Sequence, residues 1–141
     1  QQKMYEVIDN NRFSIVLAPR QSGKSLAFVI WLLHYAVFNP SKTIVIGAQN
    51  LDTAMEMLSR ITLALENLPF FLQPGCRSLN KKSVIFSNKS KIYARATGKN
   101  TLRGLSVNIL FLDEFAIVEK SEKFYTGAYP TISAGKDTKL I

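Results

Sequence analysis

The 141 residues of this chain include one cysteine and one histidine, a scarcity that removes whole classes of chemistry. Cys76 alone forms no internal disulfide, and with only His34 beside it the chain lacks the four ligands of a structural zinc site. Cys76 therefore reads as a reduced thiol of an intracellular protein. Long apolar runs are also missing. SLAFVIWLLHYAVF, residues 25–38, falls short of the roughly 20 residues that span a bilayer, and no secretory signal is present. Neither a membrane nor a secretory route is expected. Acidic residues are missing from one long window: none stands between Glu66 and Asp113. That window holds Arg77, Lys81, Lys82, Lys89, Lys91, Arg95, Lys99 and Arg103. The remainder has ten basic and ten acidic residues, so the whole formal charge of +8 belongs to this segment. A localised patch of this kind points to a polyanion, with a solvated basic surface as the plainer alternative.

What is present fits one α/β-sized domain over residues 1–141, with 47% hydrophobic and 20% charged residues. The start at Gln1 and the apolar ending TKLI read as a piece of something longer. FSIVLA (13–18) is β-branched and apolar, and predicts a buried strand. Residues 24–38 are apolar all round and predict a buried helix stopped by Asn39-Pro40, with Phe28, Trp31, Tyr35 and His34 in its core. KTIVIGA (42–48) predicts a second buried strand. Thr53 and Glu56 suggest a capping box, followed by Leu58, Ile61, Leu65 and Leu68 on one helical face ending near Pro69. Phe70-Phe71 is expected to pack locally. SVIF and KIYARA around SNKS predict a β-hairpin, with Lys91, Tyr93 and Arg95 on one face and Ile92 and Ala94 on the other. VNILFLDEFA (107–116) predicts a buried strand ending in two carboxylates. A short helix, Pro130, a turn at Ala134-Gly135 and a strand from Thr138 complete the pattern. Apolar strands alternating with helices imply a mostly parallel sheet covered on both faces.

APRQSGKS (18–25) lies between the first predicted strand and the first predicted helix. It matches the phosphate-loop pattern G-x-x-x-x-G-K-[ST] except that Ala18 replaces the first glycine. A loop at a helix N-terminus turns unpaired N–H groups and the positive end of the helix dipole toward phosphates. Gly23 permits close backbone approach, Lys24 reaches the β- and γ-phosphates, and Ser25 offers its hydroxyl to Mg²⁺. In ILFLDEFA, Asp113 emerges at a strand's carboxyl end, where open α/β sheets bind ligands and where an aspartate helps hold Mg²⁺. Glu114 is placed to orient or deprotonate an attacking water. ATP and Mg²⁺ are the expected ligands.

These two motifs, with LPFFLQPG, TLRG and YPTISAG, make the whole chain resemble the ATPase domain of the large terminase subunit of tailed bacteriophages. The resemblance implies an ASCE/RecA-like P-loop NTPase fold that carries a basic hairpin, and a motor that couples ATP hydrolysis to moving double-stranded DNA into a procapsid. It implies nucleotide contacts from Gln1, Pro19, Arg20, Gln21 and Ser22 beside Gly23, Lys24 and Ser25. Arg20 becomes a γ-phosphate group acting within its own chain, and Arg103 an arginine acting on a neighbour. Lys91 and Arg95 are the first DNA-contact candidates of the basic segment. A homo-oligomeric ring (a pentamer by resemblance), the portal protein and the small terminase subunit are the implied partners. The implied place is the cytoplasm of the infected bacterial host, docked on the portal. The family's coupling motif and nuclease domain are expected beyond Ile141. A helicase-like nucleic-acid-dependent ATPase is the alternative, because DEFA resembles helicase acidic boxes. Helicase loops, however, usually lack the Arg20-Gln21 pair.

Overall fold

The computed structural model describes residues 2–19, 21–98, 101–102, 104–115, 121–133, 135 and 138–141. The chain opens with helix α1 (Gln2–Asn10), then α2 (Lys24–Phe38), strand β1 (Thr43–Ala48) and α3 (Leu51–Glu66). Strands β2 (Cys76–Asn80), β3 (Ser83–Phe86) and β4 (Lys91–Ala96) follow, then β5 (Ile109–Leu112), α4 (Ser121–Ser133) and β6 (Lys139–Leu140). The six strands form one sheet in the order β2-β3-β4-β1-β5-β6. β1 runs parallel to both β4 and β5, and β5 parallel to β6. The β2–β3–β4 segment is antiparallel, which gives the expected hairpin and adds an edge strand to it.

Both faces of the sheet are covered, as the run of apolar strands requires. On one face Ile44, Ile46, Ile92, Ala94, Ile109 and Phe111 pack against Phe28, Leu32, Leu58 and Ile61 of α2 and α3. On the other, Val45 and Leu110 meet Phe124, Ala128 and Ile132 of α4, together with Leu102 and Val107 of the β4–β5 crossover. Half-buried polar side chains fasten the ends of elements. The Asn88 side chain donates to the carbonyls of Ala36 (2.9 Å) and Val37 (3.0 Å), which closes the C-terminus of α2 from the hairpin turn. The Thr43 N–H donates to Asn108 Oδ1 at 2.8 Å, which locks the start of β1 beside the start of β5.

Helix α1 was not predicted, yet it is tied in firmly. The Tyr5 hydroxyl donates to the Ala27 carbonyl (3.1 Å), and Trp31 Nε1 donates to Asp9 Oδ1 (3.0 Å). Lys139 Nζ donates to the carbonyls of Ile8 (2.7 Å), Asp9 (2.8 Å) and Asn11 (3.2 Å), where the last turn of α1 leaves acceptors unpaired.

Several expectations are corrected. Residues 13–18 form no regular strand: Phe13 bridges Leu140, and Ser14 N–H donates to the Leu140 carbonyl at 2.9 Å. Ser14 is buried and Val16 packs on the core, while Ile15 and Leu17 are 90% and 93% exposed. Helix α2 is not buried all round, because Leu26, Ile30 and Phe38 face out at spacings of 4 and 8 residues. His34 lies on that outer side and packs against the Phe38 ring at 4.7 Å, so it is not a core histidine. Thr53 and Glu56 make no capping box: α3 starts at Leu51 behind Asn50, and Glu56 pairs instead with Arg60 one turn on. Phe70 and Phe71 are 90% and 83% exposed rather than packed. Pro130 sits inside α4 and does not end it; its ring lies on the exposed side, where one lost hydrogen bond is tolerated.

Lys139→Met keeps the length of the side chain and removes the ammonium from three carbonyls. Chemical denaturation should show a loss of about 1–2 kcal/mol, against no change for the exposed Lys3→Met. An unchanged midpoint in Lys139→Met would mean that these contacts do not hold α1 to the sheet.

Candidate active site

The loop from Ala18 to Gly23 leads into α2 through two left-handed residues, Gln21 (φ 61°) and Gly23 (φ 76°). Gly23 takes this conformation freely; Gln21 does so at a cost that an ordinary loop would avoid. Gly23 caps α2 with its backbone, and the Ala27 N–H donates to its carbonyl at 3.0 Å. Gly23 has no side chain to cap the helix, and among the described residues no side chain accepts from the first-turn N–H groups of Lys24, Ser25 and Leu26. Lys24 and Ser25 are half-buried, whereas Pro19, Gln21 and Ser22 are exposed.

The second half of the site is the end of β5. The parallel register places Gly47 beside Leu112, and the Asp113 N–H continues the ladder by donating to the Gly47 carbonyl at 3.0 Å. A Cβ on residue 47 would come within 2.8 Å of the Leu112 side chain and 3.3 Å of Thr97 Cγ2, so a glycine is needed for β5 to close in here. Asp113 is half-buried, and Glu114 next to it is exposed in a left-handed conformation (φ 49°). Non-glycine residues held this way concentrate at functional sites.

Electrostatics joins the two halves. Burial pushes the Asp113 carboxyl above the ordinary aspartate value, and the Lys24 ammonium is the strongest influence pulling it back. Glu114 adds a further upward push, and a backbone hydrogen bond from Glu114 and the more distant Arg60 pull downward. The start of α2 and the end of β5 thus lie within electrostatic reach of each other. Lys24, Ser25 and Asp113 are all half-buried, and carboxylate and hydroxyl oxygens are the donor type that a small divalent cation takes.

The remaining predicted residues divide. Gln1, Arg20 and Arg103 lie outside the described residues. Lys91 and Arg95 share the expected face of β4, with Ile92 and Ala94 buried on the other. Four residues separate the two cations, about 13 Å along the strand. Arg95 is partly engaged already: its guanidinium donates to the Thr101 carbonyl at 3.2 Å and lies 5.7 Å from the centre of the Tyr93 ring. The first half of the β4–β5 crossover lies at the same end of the sheet as Asp113, because Thr97 N–H donates to the Ala48 carbonyl (2.8 Å) and Thr101 Oγ1 donates to the Ala96 carbonyl (2.9 Å).

The sheet order and the strand directions define a mixed, mostly parallel α/β domain. The family model for the N-terminal part of the T4-like-virus type of terminase large subunit matches residues 15–141, and the chain belongs to that family. Its fold is similar to that of the Thermus phage P74-26 large terminase ATPase domain, with a TM-score of 0.78 at 19% identity over 100% of this chain and 67% of that one. The HK97 bacteriophage large terminase gives 0.75 at 21% identity over 93% of this chain, which spans 28% of that protein. The large terminase of thermophilic bacteriophage D6E, solved with ADP, gives 0.66 at 14% identity over 95% of this chain and 33% of that one. Neither the fold nor the family match supports the helicase-like alternative. Among the described residues no helix is long and apolar enough to cross a membrane.

Lys24→Ala should weaken ATP binding by about ten- to a hundredfold in a calorimetric titration, the worth of one or two charge-assisted hydrogen bonds. Unchanged affinity would remove residues 18–25 from the phosphate site.

Proposed function

We propose that residues 1–141 belong to the ATPase domain of a viral DNA-packaging motor, which hydrolyses ATP and uses the energy to translocate double-stranded DNA. The observation that carries this reading is the electrostatic meeting of Lys24, at an uncapped helix start, with Asp113, at the end of a buried parallel strand. Lys24 and the first-turn N–H groups would take the phosphates, with Pro19, Gln21 and Ser22 shaping the loop around them. Ser25 and Asp113 would hold Mg²⁺, which when bound neutralises phosphate charge as the terminal phosphoryl group departs. Glu114, exposed beside Asp113, orients the attacking water and accepts its proton. Arg20 is proposed to touch the γ-phosphate within its own chain, Gln1 the base, and Arg103 the nucleotide of a neighbouring subunit. Family membership supports double-stranded DNA as the track. A homo-oligomeric ring, the portal, the small terminase subunit and the cytoplasm of an infected host follow from the same reading.

Glu114→Gln preserves size while removing the proton acceptor. In the assembled motor it should bind ATP like the wild type and turn over about 10²–10⁴-fold more slowly. Equal turnover would take Glu114 out of the chemistry. Arg103 is tested by mixing subunits, since an arginine supplied across an interface is worth about 10³–10⁵ in rate. Rings that combine Arg103→Ala subunits with Glu114→Gln subunits should regain part of the activity that each lacks alone. Verified mixed rings without any recovery would make Arg103 a structural residue.

A further inference from the structure

Helix α3 packs over β1 and β4, and the sheet continues past it to the edge strand β2. The layer above β2 is left incomplete. Between α3 and β2 runs a groove of about 630 Å³, with Met55, Leu63 and Leu79 in its apolar lining. Leu63 and Leu79 are exposed there. Its α3 wall carries Asp52, Glu56 and Glu66 against one cation, Lys81. Glu56 pairs with Arg60, and among the described residues Asp52 and Glu66 have no ion pair. Just past the end of α3 the chain makes one 3-10 turn, Phe70–Leu72, from which Phe70 and Phe71 stand out almost fully exposed. The turn is held from within. Leu72 N–H donates to the Pro69 carbonyl (2.8 Å) and Gln73 N–H to the Phe70 carbonyl (3.2 Å). The Gln73 side-chain amide donates to the carbonyls of Glu66 (3.2 Å) and Leu68 (2.7 Å), which ties the turn to the last residues of α3.

Two adjacent phenylalanines can bury about 300–500 Å² of apolar surface when something covers them. Their backbone is already fixed, so docking them costs little further ordering, which is the character of an interface anchor. The knob does not fill the groove of its own chain: both rings stay exposed, and neither lines the groove. Charge selects the occupant. The segment that carries the knob has no acidic residue from Asn67 to Leu112, and Arg77 is exposed at the start of β2, close behind the knob in sequence. A second copy of this chain therefore brings apolar rings to an apolar floor and a cation to a wall with two unpaired carboxylates. A polyanion would be repelled by that wall.

We propose that the Phe70-Phe71 knob of one copy docks into the α3–β2 groove of a second copy. This rests on the homo-oligomeric reading and gives it a named contact. Knob and groove are different surfaces, so the contact is heterologous, the type from which rings are built. Self-association is followed by sedimentation velocity over a concentration series, with and without MgATP. The wild type is compared with a knob variant (Phe70→Ser with Phe71→Ser), a groove variant (Leu63→Lys with Leu79→Lys) and Arg77→Glu. All five side chains are exposed, and circular dichroism checks that each variant stays folded. The knob and groove variants should associate at least about tenfold more weakly than the wild type, the loss expected of an aromatic anchor. Arg77→Glu should weaken association too. An equimolar mixture of the knob and groove variants should regain it, because each supplies the surface that the other lacks. Wild-type association in any of the three variants overturns the proposal, and so does a mixture that associates no better than its components. In those cases a wild type that still assembles keeps the homo-oligomeric reading and loses only this contact. A wild type that stays monomeric throughout rejects both.

Discussion

The register of β1 against β5, from Ile44 opposite Ile109 to Gly47 opposite Leu112, decides where both strands stop. Because the pairing is parallel, both stop at the same edge, and the register of β1 with β4 brings Ala96 there too. The site depends on that shared edge. Gly47 lets Leu112 and Thr97 crowd in from either side, so Asp113 leaves the ladder next to the centre of the sheet and not out at its rim. Helix α2 packs on the face formed by Ile44, Ile46 and Phe111, which aims its N-terminus at the same edge. The helix start supplies positive potential and the strand end a partly desolvated carboxylate. Each makes the other less costly to hold.

The edge then divides into two territories. At β5, groups are left with unspent capacity: uncapped N–H groups on α2, a carboxyl raised by burial, and a glutamate in a left-handed conformation. At β4, the Thr97 N–H and hydroxyl and the Thr101 hydroxyl are engaged in fixing the crossover, and Arg95 donates to the Thr101 carbonyl there.

Elements whose burial follows from their own composition were legible in the sequence. TIVIGA, ILFL and the alternation in KIYARA need no tertiary information, and G-K-S and D-E sit at the start of α2 and the end of β5. Features set by distant partners were not legible. Helix α1 is short, and its place depends on Lys139, more than a hundred residues later. Strand β2 is almost wholly exposed and exists through backbone pairing with β3, so CRSLN shows no alternation to read. In residues 13–18 the apolar pattern is present, but among the described residues Phe13 bridges Leu140 and stacks on Tyr129 while no regular strand forms. Local pattern could not reveal that Ile15 and Leu17 would face outward. Asn50, not the more suggestive Thr53, precedes α3 because β1 runs only to Ala48 and the helix begins as soon as the chain has turned.

The central claim is that Lys24 and Asp113 act on one ligand as one site. A double-mutant cycle with Lys24→Met and Asp113→Asn, read as MgATP affinity, tests it most directly. Groups that serve the same phosphates and metal ion are coupled, so the double variant should lose less than the sum of the single losses, with an interaction of about 0.5–3 kcal/mol. Strict additivity of two substantial losses, or no effect of Asp113→Asn on MgATP binding, would contradict the account.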